Sequence, residues 1–89
     1  MAHLLVRHKV ADFDRWRAVF DGHAAAQRAA GITVTHVMRN VEDPGEVILL
    51  FDVEDVERAK AFVFSPQVPG AQQESGVLDR PDIYFLTAA

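Results

Sequence analysis

Four histidines stand in this 89-residue chain, and histidine is the side chain most able to exchange a proton near neutral pH. His8 shares the alternation of Val6 and Val10, the apolar set of the stretch around it. His23 follows Phe20 by one helical turn and Trp16 by two, so it borders the apolar face of that segment. If this face packs on the first strand, His8 and His23 approach each other in a cavity between helix and strand. Such a pair can orient a ligand or work as acid and base. His36 shares parity with Val34, Met38 and Asn40. The other reading is that each histidine is a hydrogen-bonded structural residue at the edge of the core, because buried polar groups usually just need partners.

Other chemistries are poorly served. Neither His-x-His nor His-x-x-x-His occurs, and the spacing gives a metal site no support. The chain has no cysteine, which removes disulfides, thiolate zinc sites, iron–sulfur clusters and thiol nucleophiles together. A glycine-rich phosphate loop and a serine nucleophile elbow are both absent, so covalent catalysis is not expected. Trp16 and Tyr84 are candidates for the walls of an apolar pocket with polar handles, although an aromatic at helical spacing is more often core. Arg7, Lys9 and Arg39 lie in or at the ends of strands, where they would hold a carboxylate ligand or pair with an acid. Arg7 and Lys9 alternate with His8, so the two sets serve one site only through a bulge.

The elements that must position these residues follow in a regular order. Leu4 to Val10 reads as the first strand. Asp12 stands where an N-cap belongs, and Phe13, Trp16, Phe20, Ala24 and Gln27 then recur on one face of a helix ending at Gly31. Ile32 to Asn40 is the second strand, Glu42-Asp43-Pro44-Gly45 a turn, and Val47 to Val53 the third strand. That third strand is almost wholly apolar and is expected at the sheet centre, covered on both faces. Asp55 caps a second helix with an apolar stripe of Val56, Ala59, Phe62 and Val63. Ser65-Pro66 breaks it, a short helical turn is expected around Pro66 to Ser75, and Asp82 to Thr87 is the last strand.

This order, β-α-β-β-α-β, predicts an α+β, ferredoxin-like fold: a four-stranded antiparallel sheet with two helices on one face. Residues 1–89 make a single domain. Strand residues alternate between faces, so part of the apolar set must lie on the uncovered side. A second copy related by a two-fold axis is the expected cover, making the chain a homodimer. The net charge of −4 argues against nucleic acid or an acidic membrane as partner. The apolar stretch before Arg7 is too short for a signal peptide, and the run Val47 to Phe51 is too short to span a membrane. The expected compartment is the cytoplasm. An RNA-recognition motif shares the element order but needs a glycine- and aromatic-patterned third strand, and this one reads Val47-Ile48-Leu49-Leu50-Phe51-Asp52-Val53.

The run Val6-Arg7-His8-Lys9-Val10, then Asp12-Phe13, Trp16, Phe20-Asp21, His23 and Gly31, resembles the small dimeric α+β-barrel proteins. So do the turn Glu42 to Glu46, the step from Phe62 to Ser65-Pro66, and the ending from Gly76-Val77 to Pro81, Ile83, Tyr84 and Phe85. The superfamily includes antibiotic-biosynthesis-monooxygenase-like and polyketide-cyclase-like proteins, and the resemblance spans essentially the whole chain. It implies two sheets facing each other across a dimer to close a barrel, with a ligand cavity between sheet and helices in each subunit. The matching positions are His8, Trp16, His23 and His36. Cofactor-free quinone-forming monooxygenases of the group typically pair an asparagine with a tryptophan. Here the first strand has no asparagine, and Asn40 ends the second. Haem-degrading relatives need a histidine on the second helix, and Val56 to Ser75 contains none.

The expectation is therefore a homodimer that binds a small, apolar, oxygen-bearing molecule of polyketide-like character. His8 and His23 are the candidate catalytic residues, with Trp16, His36 and Tyr84 binding substrate, and no cofactor or metal taking part. Cyclisation, enolisation or isomerisation suits such a site, since histidines shuttle protons. A non-enzymatic dimeric binding or accessory module is the alternative, and a cofactor-free monooxygenase the second.

Overall fold

Alternation in the strands and helical spacing between them build one layer of helices on one sheet. The structure, a computed structural model, describes residues 2–64, 76–78 and 80–89. Its elements are β1 (Ala2–Lys9), α1 (Phe13–Gly22), α2 (Ala24–Ala29), β2 (Ile32–Arg39), β3 (Glu46–Val53), α3 (Val56–Val63) and β4 (Asp82–Thr87). The sheet runs β2-β3-β1-β4 with every pair antiparallel, the ferredoxin-like arrangement. The helical turn expected around Pro66 to Ser75, with its break at Ser65-Pro66, lies outside the described residues.

The starts of α1 and α3 follow from their caps. Asp12 accepts from the Arg15 amide, and Asp55 from the amides of Glu57 and Arg58. Each cap is worth about 1 kcal/mol. Gly31 (φ 77°) supplies the left-handed turn between α2 and β2.

The first helical segment differs from expectation. It is two helices, broken at His23 (φ −98°, ψ 3°), whose amide donates to Phe20 O at 3.0 Å. The ladder is tightened for one residue and resumes when the Gln27 amide donates to His23 O. Gly22 precedes the break. A Cβ there would meet nothing within 4 Å, so packing does not require glycine; its low helix propensity is what it contributes.

The core lies between the sheet and the helices. In β3, Val47, Leu49, Phe51 and Val53 are buried, while the alternate residues are only half-buried. The third strand is central as expected, but within one chain only its helix-facing side is fully covered. Trp16 from α1 and Ala59 from α3 complete the core above β1 and β3. Each large apolar side chain so buried contributes about 2–3 kcal/mol. The opposite face carries Leu5 between Leu50 and Tyr84 in register, flanked by half-exposed Met38 and Leu86.

Candidate functional site

Alternation in β1 sends His8 to the helix side, directly across from Val47, which is fully buried. His8 itself is 5% exposed, the one buried polar residue among those described. Helical spacing brings Trp16 over it. The indole meets the imidazole edge-on at 5.6 Å, stacks on Phe20 at 4.9 Å and leans on Phe13 at 5.6 Å. These contacts leave Trp16 little freedom, so the ring is a fixed wall rather than a swinging one.

Beside this wall lies a cavity of about 150 Å³, open on one side. Its sheet-side lining is Leu4, Val6, His8, Ile32, Leu49 and Phe51. Trp16, Val19 and Phe20 of α1 and His23, Ala26 and Gln27 around α2 form the opposite side, and Phe62 and Val63 of α3 close one end. The surface is overwhelmingly apolar, and the polar groups sit at two depths. His8 is at the buried floor, whereas His23 is exposed and Gln27 half-buried at the mouth.

His8, Trp16 and His23 thus line a single cavity; of the expected approach of His8 to His23 the structure shows this shared lining, with one histidine buried and the other exposed. Tyr84 and His36 do not. Tyr84 pairs with Leu5 on the other face of the sheet and is 54% exposed. His36 was expected to share the face of Val34. A β-bulge between Val34 and His36 leaves His36 opposite Leu50, so it too lies on the open face, exposed, with Nδ1 3.2 Å from Thr35 Oγ1. Gln27 had been placed on the inner face of the helix without a role. Its spacing of four residues from His23 was the available signal.

Of the three basic residues, Arg7 and Lys9 are engaged by protein carboxylates. Arg7 pairs with Glu46 at 2.9 Å and Asp82 at 3.2 Å, and Lys9 with Asp43 at 3.2 Å. A hydrogen bond from the Asn40 amide, then one from Arg7, holds the Glu46 carboxyl below its ordinary value. Arg39 lies 4.1 Å over the Phe13 ring and donates to Pro44 O. Among the described residues, no three acidic, histidine or cysteine side chains are grouped to hold a metal ion, and no helix is long and apolar enough to cross a membrane.

Neither a family model nor a curated protein matches the chain. Solved structures do. A candidate antibiotic biosynthesis monooxygenase of Caulobacter crescentus superposes with a TM-score of 0.75 at 20% identity, over 99% of this chain and 89% of that one. One of Bordetella bronchiseptica gives 0.74 at 16% identity, over 99% and 96%. One of Deinococcus radiodurans gives 0.72 at 17%, over 100% and 93%. At such identities the likeness is one of fold, and the ferredoxin-like α+β fold of the single chain is the one expected from the sequence.

Proposed function

We propose that this chain is a homodimeric small-molecule-binding protein doing acid/base chemistry without a cofactor on an apolar, oxygen-bearing substrate of polyketide-like character. The observation that carries this reading is His8, a buried imidazole held against Trp16 in a mostly apolar cavity. A base in so dry a place acts on a carbon acid at close range. His8 takes the proton from the carbon beside a carbonyl, and the electron pair of that C–H bond passes to the carbonyl oxygen as an enolate. His23 at the mouth supplies the proton that completes enolisation, or returns one to another carbon to complete isomerisation.

The homodimer rests on the open sheet face. Its centre, Leu5 with Leu50 and Tyr84, is apolar, and around it stand the Arg7–Glu46 ion pair and His3, whose Nδ1 lies 3.2 Å from an Asp52 carboxylate oxygen. A two-fold axis through that centre lays apolar side chains on their own copies and closes the two sheets into a barrel.

A second reading takes up the word monooxygenase in the names of the structural neighbours; for this chain we infer oxygenation without a cofactor, in which the anion left by proton loss reacts with dioxygen. One experiment separates the two. Solvent-deuterium exchange into the α-positions of cyclohexanone is followed by NMR, and oxygen uptake with hydroquinone is followed above its autoxidation. Faster exchange with wild type and its loss in His8→Gln is expected for enolisation. Oxygen uptake dependent on His8, without exchange, selects oxygenation. If neither rate depends on His8 or His23, both catalytic readings fail and a binding module is left.

A further inference from the structure

Among the described residues that line the cavity, the polar side chains besides the Trp16 indole are His8, which is buried, and His23 and Gln27, which reach the surface. Gln27 carries both a donor and an acceptor on one amide, and among the described residues its side chain makes no hydrogen bond; its backbone amide donates to His23 O. His23, four residues earlier on the same side of the mouth, has no side-chain capping bond to α2. Both line the same cavity as the buried His8. The other walls are set by the stacked Trp16 and Phe20 rings and by sheet aliphatics. A cavity of about 150 Å³ with apolar walls accepts a molecule of the size of one benzene ring.

We propose that Gln27 is a ligand-recognition residue, and that the site selects a flat, one-ring molecule bearing oxygen at opposite ends. One oxygen meets His8 at the floor; the other, a carbonyl, accepts from the Gln27 amide at the mouth beside His23. This rests on the small-molecule reading of the cavity and adds to it the size and polarity of the ligand and the residue that reads its outer end.

The test uses two probes that differ only at that end, p-cresol and 4-hydroxyacetophenone. Trp16 is the single tryptophan, so its indole N–H signal in a ¹⁵N spectrum reports cavity binding directly. Wild type should bind 4-hydroxyacetophenone about 3- to 10-fold tighter than p-cresol, the gain from one hydrogen bond. Gln27→Leu should remove this preference, so that the two probes bind it about equally. Gln27→Glu, which offers no amide donor, should remove it as well.

A preference that survives in Gln27→Leu, or that is missing from wild type while both probes bind, overturns the role of Gln27 and leaves the cavity reading standing. Equal weakening of both probes in Gln27→Leu makes the residue structural and likewise overturns it. If neither probe moves the Trp16 signal in wild type, the small-molecule reading falls, and this inference with it.

Discussion

The imidazole of His8 approaches the indole of Trp16 edge-on, with centroids 5.6 Å apart and planes inclined by 71°. One ring comes from β1 and the other from α1, so the contact ties the sheet to the helix layer at the deepest point of the cavity. A ring edge set against a ring face is an electrostatically favourable arrangement. Packed against the indole, the imidazole has little room to turn. The pair is therefore both a packing contact and the frame that orients the candidate base.

A double-mutant cycle measures that frame. His8→Gln, Trp16→Leu and the double variant, unfolded in urea, should give a coupling energy of about 0.5–1.5 kcal/mol. Additive losses would show that the edge contact contributes no specific energy. The cavity would then be shaped by burial alone.

The fold was readable because caps, turns and alternation agree. Asp12, Gly31, the turn at Pro44-Gly45 and Asp55 each stand at a boundary that the structure also places there. The faces of the strands were less readable. Ile83, Tyr84, Phe85 and Leu86 form an unbroken apolar run, so side-chain type alone cannot say which pair faces the helices. The register Leu4 to Phe85 decides it and turns Tyr84 outward. The bulge beside Thr35 reverses parity in the middle of β2, and nothing in Val34-Thr35-His36 announces it. His8 and Trp16 were legible because neither a bulge nor an all-apolar run stands between them and the elements that place them.

Leu5 is the test of the open face. It sits across from Leu50 on one side and Tyr84 on the other, at the centre of the apolar patch. Native mass spectrometry of wild type should give a dimer, and Leu5→Glu should give a folded monomer. A buried carboxylate without a partner costs several kcal/mol, enough to dissociate an interface of ordinary size. Wild type found as a monomer would remove the barrel and leave the cavity as a property of one subunit.

Glu46 gives the fold a pH dependence of known sign. Its folded carboxyl is held below the ordinary value of 4.5 by Asn40 and Arg7. The pairing therefore contributes fully above pH 4.5, and the contribution is lost as pH falls through the lowered folded value. Glu46→Gln should melt below wild type at pH 7, and the two melting temperatures should converge as pH falls from 5 to 3. A gap that stays constant over that range would mean that the ionised carboxylate is not what stabilises this corner of the sheet.

Gly22 tests whether the break at His23 serves the site. The open space around it means that alanine fits, and its backbone is not in the left-handed region. Gly22→Ala should therefore stabilise the chain by about 0.5–1 kcal/mol, since alanine has less conformational freedom to lose in a helix. Stabilisation alone would mark the glycine as tolerated rather than used. The sharper expectation concerns binding. With alanine the tightened turn at His23 competes against a continuous helix, and α2 carries Ala26 and Gln27 into the mouth of the cavity. If the break sets their position, the more stable variant should bind 4-hydroxyacetophenone more weakly, with p-cresol much less affected. Stability and recognition would then move in opposite directions through one methyl group, as expected where a function depends on a locally unfavourable turn. Higher stability with unchanged affinity for both probes would show instead that the mouth is set by α2 packing on β2, independently of how α1 ends.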